Sequence, residues 1–272
     1  MENIDKIRLF DSHAHYFDKH FDEVGGAEEV LRKEVFGACV SRVINVGTNN
    51  ANNPVCVAQA ALYEGMYAAV GIHPEDARYC EDDATREVAE LERIIGDAEN
   101  RKEKKIVAIG EIGLDYHYEG FDKARQAEFF DAQMHLAKKL GMPVIIHDRE
   151  AHGDCFETVL RHPDVRGVFH SYSGSAEMAA ELVRRGWYIS FSGVLTFKNA
   201  SRIKEVAASI PCERILIETD APYLAPHPHR GKTNHSGLMI YTAQTLAEIK
   251  GMSLDEIAEL TYNNASELFD IK

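Results

Sequence analysis

Short apolar, β-rich runs alternate with longer amphipathic stretches along the chain, and the alternation repeats eight times. The runs are Arg8–His15, Arg42–Thr48, Met66–His73, Lys105–Asp115, Pro143–Asp148, Gly167–Tyr172, Trp187–Ser192 and Arg214–Asp220. Between them, helical spacing predicts helices over Ala27–Phe36, Ala51–Glu64, Thr85–Glu99, Lys123–Leu140, Asp154–Arg161, Ala176–Arg185 and Ser201–Ser209. A last pair, Leu238–Lys250 and Leu254–Phe269, closes the chain. Runs such as Val144-Ile145-Ile146 are apolar at consecutive positions, which marks parallel strands covered on both faces. Eight β/α repeats in 272 residues predict an α/β protein with a closed (β/α)8 TIM barrel. An open doubly wound sheet is the alternative, but its glycine fingerprint is missing. No linker, composition shift or internal repeat divides the chain, so residues 1–272 are expected to form a single domain.

Composition adds what the pattern cannot. With 45% apolar and 27% charged residues the chain is an ordinary globular one, which excludes disordered and fibrous classes. Lys+Arg 30 against Asp+Glu 44 gives a net charge of -14, which opposes a protein held broadly on nucleic acid or an anionic membrane. Any polyanionic substrate must therefore be met locally. The opening run Met1-Glu2-Asn3-Ile4-Asp5-Lys6 lacks the basic and apolar regions of a signal peptide, and no stretch is long enough for a membrane span, so a cytoplasmic protein is expected. Five cysteines, odd in number and without a C-x-x-C pair, read as reduced thiols rather than ligands.

Barrel active sites lie at the C-terminal ends of the strands, so the residues that end each run carry the chemistry. Six are metal-ligand types: His13 and His15 on the first run, Glu111 on the fourth, His147 on the fifth, His170 on the sixth and Asp220 on the eighth. Alternating side chains along a strand put His13 and His15 on one face. Taken singly, each has an ordinary explanation: a chance pair among 13 histidines, a solvated carboxylate, a core imidazole, a helix cap. Six such groups converging on one rim would be costly with nothing to neutralise them, whereas divalent cations would use them all. They are too many for one catalytic ion and suit two, with Glu111 as the bridge. His13, His15 and Asp220 are expected to hold the first ion, and His147 and His170 the second. Around them, His73 in Gly71-Ile72-His73-Pro74, Arg149 and Arg230 suit an anionic substrate, and Glu218 lies deeper on the strand that carries Asp220, where it would orient a ligand.

Asp11-Ser12-His13-Ala14-His15, Gly71-Ile72-His73-Pro74, Gly110-Glu111-Ile112-Gly113-Leu114-Asp115-Tyr116, His147-Asp148-Arg149-Glu150-Ala151, Phe169-His170-Ser171-Tyr172-Ser173-Gly174 and Glu218-Thr219-Asp220-Ala221-Pro222-Tyr223-Leu224 closely resemble, in order, the motifs of the TatD-type metal-dependent deoxyribonucleases. The resemblance runs through nearly the whole chain. It implies an amidohydrolase-like barrel with two divalent ions per chain, ligands at the same six positions, and a Mg²⁺- or Mn²⁺-supported nuclease, often exonucleolytic; Zn²⁺ is a further candidate. One departure stands out. Where such proteins carry Gly-Lys-Arg-Asn-Glu-Pro after the eighth strand, this chain has Gly231-Lys232-Thr233-Asn234-His235-Ser236, so a positive charge and a carboxylate are missing.

The expected reaction is hydrolysis of phosphodiester bonds in DNA, with single-stranded or frayed ends preferred. Water activated at the binuclear site would attack phosphorus, Asp220 would take its proton, and Glu111 would fix the metal spacing. DNA is the expected partner, contacted locally, with no membrane and no obligate protein partner. A hydrolase of the same barrel class acting on a lactone, amide or small phosphate ester is the alternative, since fold does not settle substrate. A non-catalytic scaffold would need neither the open ligand set nor Asp220.

Overall fold

The computed structural model describes residues 7–272; the opening run Met1–Lys6 lies outside them. Eight strands follow in chain order: β1 (Leu9–Ala14), β2 (Val40–Val46), β3 (Met66–Val70), β4 (Ile106–Asp115), β5 (Val144–Arg149), β6 (Gly167–Phe169), β7 (Tyr188–Phe191) and β8 (Ile215–Ile217). Strand order follows chain order, and the pairs are parallel with helices between them. Beyond β8 the chain returns to β1. Ala14 and Ala221 form a parallel bridge, His15 N–H donates to the Ala221 carbonyl at 2.7 Å, and Asp220 N–H donates to the His13 carbonyl at 2.9 Å. This is the (β/α)8 barrel that the eightfold alternation predicts.

The chain falls into two compact units, residues 45–169 and the remainder. In the first, β3, β4, β5 and β6 pair in succession, with Ile109 opposite Val144 and Ile146 opposite Phe169. Val144, Ile145 and Ile146 are all fully buried, as their unbroken apolar run requires. Helix Lys123–Leu140 covers these strands with Phe129, Phe130, Met134 and Ala137. Asp122 caps its start by accepting from Arg125 N–H at 3.0 Å, and Gly141 ends it at φ 63°. The stretch expected as one helix over Thr85–Glu99 is two. Ala84–Ile95 stops at Gly96, and Asp97 then caps Ala98–Glu103 by accepting from Asn100 N–H at 2.9 Å.

In the other unit β7 pairs with β8, placing Ile189 opposite Ile215 and Phe191 opposite Ile217. Helix Leu254–Leu268 opens with a reciprocal capping box between Ser253 and Glu256. Its Asn264 amide donates to the Cys212 and Ile215 carbonyls, both at 2.8 Å, which ties the helix to the start of β8. The first predicted helix, Ala27–Phe36, is α-helical only to Val30 and continues as a wider π turn over Leu31–Val35. All five cysteines are free thiols, of which Cys56 and Cys155 are buried. Among the described residues no helix is long and apolar enough to cross a membrane.

Candidate metal centre

The β1 and β8 ends bring three of the expected ligands together. His13 and His15 stand on the same face of the strand, with their Nε2 atoms 3.0 Å apart. Asp220 Oδ1 lies 3.7 Å from the first and 3.4 Å from the second. With ligand bonds of about 2.1 Å, such spacings subtend roughly 90–125° at a common ion, so the three residues fit a divalent cation. Asp220 owes its position to its backbone. It sits at φ 56°, and its carbonyl accepts from Tyr223 N–H at 2.8 Å. The chain is anchored below it by Asp11, which accepts from Thr219 N–H at 3.0 Å and from the Thr219 hydroxyl at 2.5 Å. Burial pushes the Asp11 carboxyl up to about 7 in spite of these bonds. Burial also works to raise the Asp220 carboxyl, but the His15 hydrogen bond and the charges of His170, His13 and His15 outweigh it and hold it below the usual range.

His170 follows β6 and stacks on the His13 ring, centroids 4.1 Å apart. Its Nδ1 is 3.2 Å from Glu218 Oε1, which also accepts from Ser171 N–H at 2.8 Å. Glu218 therefore orients the imidazole through Nδ1, so that Nε2 is the nitrogen it would offer a metal ion. Sequence reasoning paired His170 with His147; its ring contacts within its own unit are to His13 and Glu218.

A second group forms in the other unit from β3, β4 and β5. Glu111 Oε1 lies 2.6 Å from His147 Nδ1 and 3.6 Å from His73 Nε2, and the two imidazoles sit edge to face at 4.4 Å. His73 Nδ1 accepts from Glu75 N–H at 3.1 Å, which turns Nε2 toward Glu111. His73, read from the sequence as a substrate contact, thus lies among ligand-type side chains. His147 is gripped from its other side by Asp115, whose Oδ2 is 2.9 Å from Nε2. Asp115 itself is almost fully buried, yet its carboxyl is held low: desolvation opposes this, and the His147 bond and charge overcome it.

Three side-chain amides hold the strand ends that carry this group. Asn53 exchanges two hydrogen bonds with the Gly71 backbone (3.0 and 3.2 Å). Gln133 does the same with Ile72 (2.7 and 3.0 Å), and Gln126 with Asp115 (both 2.9 Å). Each satisfies an N–H and a C=O where the sheet ladder stops. The register between β4 and β5 slips between Ile109 and Ile112, beside Glu111, a bulge of the kind that re-aims a side chain. Gly113, at φ 144°, lets β4 lie against β5; a Cβ there would be 2.0 Å from the His147 carbonyl oxygen.

The two arginines assigned to substrate both lie over aromatic rings. Arg149 covers Tyr118 at 5.0 Å and bonds its hydroxyl at 3.1 Å, and Arg230 covers Phe197 at 4.1 Å. Asp115 and Asp11 were missed as site residues. The available signal was spacing, since each lies an even number of strand positions from a candidate ligand, Glu111 or His13, and so shares its face. A further trio on outer helices, Asp131, His135 and His162, is an ion-paired group in which Arg161 already approaches Asp131 at 3.6 Å.

A family model described as TatD related DNase matches residues 10–270. The chain belongs to this TatD-related family. It is 40% identical over 266 residues to the uncharacterized metal-dependent hydrolase YabD of Bacillus subtilis, covering 97% of this chain and 99% of that one. It is 34% identical to the uncharacterized metal-dependent hydrolase TatD of Mycobacterium tuberculosis, covering 93% and 96%. Among solved structures, YjjV, a TatD homolog from Escherichia coli, superposes with a TM-score of 0.87 at 30% identity over 97% of this chain and 98% of that one. The barrel is therefore that of TatD-family proteins, and this TatD-family chain is a metal-dependent hydrolase.

Proposed function

We propose that the protein is a divalent-metal-dependent deoxyribonuclease that removes nucleotides from single-stranded or frayed DNA ends. The observation that carries the reading is the presence of two imidazole–carboxylate groups at ligand spacing, one at the β1 and β8 ends and one at the β3, β4 and β5 ends. His13, His15, Glu111, His147, His170 and Asp220, the six strand-end residues of the motifs, are proposed to hold two ions, with Glu111 shared. Mg²⁺ or Mn²⁺ bound there would acidify water and neutralise charge on the phosphate. Asp220, ionised at neutral pH, accepts the proton of the attacking water. His73 and Arg149 steady the phosphate next to the cut, and Glu218 and Asp115 hold the imidazoles of His170 and His147 in place. The six motifs shared with metal-dependent deoxyribonucleases support DNA as the substrate.

The test is metal-reconstituted protein incubated with end-labelled single-stranded DNA beside a panel of lactones and simple esters. Metal-dependent shortening of the labelled strand is expected, with closed circular duplex resistant. Turnover of a lactone or small ester with the DNA left intact would replace this reading with the small-ester hydrolase.

A further inference from the structure

A cleft of about 400 Å³ is lined by Tyr223, Phe197 and Arg230, and Tyr223 also meets the His15 ring of the His13–His15–Asp220 group. We propose that it takes the base of the nucleotide whose phosphate is held at the metal ligands, by stacking on Tyr223 and the Phe197–Arg230 pair. The inference rests on the nuclease reading and deepens it, because it says which part of the substrate is recognised.

Tyr223 is 44% exposed, one of three aromatic residues, with Tyr79 and Tyr118, left open to solvent among the described residues. It is nevertheless fixed. Its hydroxyl donates to Asp18 at 2.6 Å, and Asp18 is itself held by His20 N–H at 2.8 Å. The ring lies 6.5 Å from that of His15, close to the span between a nucleotide's phosphate and its base. Phe197, also on the lining, is as well supported. Phe197 ends the short turn Gly193–Thr196, where the Thr196 hydroxyl accepts from His227 N–H at 2.7 Å. Gly193 packs so closely on the Leu224 carbonyl that a Cβ would be 2.1 Å from it. The turn and the segment after β8 are thus packed directly against each other. The Arg230 guanidinium lies over the Phe197 ring, 4.1 Å from its centroid, and adds a cationic group to that side of the lining.

Two pre-positioned π surfaces on one cleft suit an unpaired base, and stacking of this kind tolerates any base. Arg230 and Lys232 at the mouth supply positive charge where the rest of the surface is negative, while Glu23, also on the lining, keeps the slot unsuited to a second phosphate. A lactone or alkyl ester has nothing to stack on these surfaces. The loop departure fits the same use. Asn234 donates to the Thr219 and Tyr223 carbonyls at 2.9 and 2.7 Å, and Ser236 bonds the Tyr16 hydroxyl at 2.7 Å. Asn234, which the departure leaves in place, therefore braces the backbone of Tyr223.

The experiment compares kcat/KM of the metal-loaded full chain on single-stranded oligonucleotides that end either in natural nucleotides or in an abasic analogue at the terminal or penultimate position. Wild type is expected to prefer the natural end by about 5- to 100-fold. Tyr223→Leu and, separately, Phe197→Leu should bring that ratio close to one, with metal content and thermal midpoint showing that each variant is folded. A wild-type ratio near one overturns the proposal, as does a large ratio that both variants retain. If wild type cleaves no DNA at all, the nuclease reading fails first and the base site falls with it, an outcome distinct from cleavage without discrimination.

Discussion

Glu111 and Asp220 divide the proposed chemistry between them, and their surroundings show how. Glu111 is almost fully buried, and one of its oxygens already faces both His147 and His73, so removing it takes away a ligand and the partner that aligns two imidazoles. Elemental analysis should find two ions per chain in wild type and loss from both sites in Glu111→Ala; saturation at one ion, or no loss in the variant, refutes the shared ligand. Asp220 is held below the usual carboxylate range by imidazoles around it, so it is ionised and ready to accept a proton at neutral pH. Asp220→Asn keeps the shape and loses that capacity. At saturating metal kcat should fall by about 100-fold or more with KM little changed, the pattern of a lost proton acceptor. A near-normal kcat would leave Asp220 as a replaceable ligand only.

At the level of elements, the strand ends depend on helices that the sequence gives no obvious reason to connect with them. Gln126 and Gln133 lie on the buried face of helix Lys123–Leu140, and each closes the backbone of a residue beside the second ligand group. Gln126→Leu leaves the N–H and C=O of Asp115 buried and unmet, a cost of about 1–3 kcal/mol for each group. Denaturant unfolding should record a loss of about 2–4 kcal/mol, and metal titration a weaker second ion, because Asp115 would no longer grip His147. An unchanged midpoint would show that water replaces the amide. Helix periodicity made Lys123–Leu140 and Ser201–Ser209 legible to the residue, and alternation placed His13 beside His15. Periodicity is blind to a capped break such as Gly96-Asp97, and to strand lengths: β8 ends at Ile217, three residues before Asp220, because the ladder gives way to turns. Polar residues inside helical stretches look solvent-facing until the structure shows what they touch, which is why Asn53, Gln126 and Gln133 went unread.

Over the whole molecule, the proposed function asks an acidic protein to handle an acidic polymer. With 30 basic residues against 44 acidic ones, a long phosphate track would meet repulsion along most of its length. Metal ions and a few cations, Arg149, Arg230 and Lys232, can offset that only near the strand ends and the cleft beside Tyr223. Contact with one to three phosphates follows, and with it a shallow salt dependence, since each phosphate neutralised adds roughly -0.7 to the slope for a single strand and -0.9 for duplex. For a catalytically dead variant at fixed free metal, log affinity against log salt should fall with a slope of about -1 to -3 on single strands. Duplex without frayed ends should bind more weakly, because paired bases cannot stack in the proposed base site. Weak binding also implies frequent dissociation between cuts, so a labelled strand should shorten as a distribution of lengths rather than disappear molecule by molecule. A slope steeper than about -5, or equal affinity for closed duplex and free single strands, would reveal an extended nucleic-acid surface that neither the charge balance nor the cleft supports.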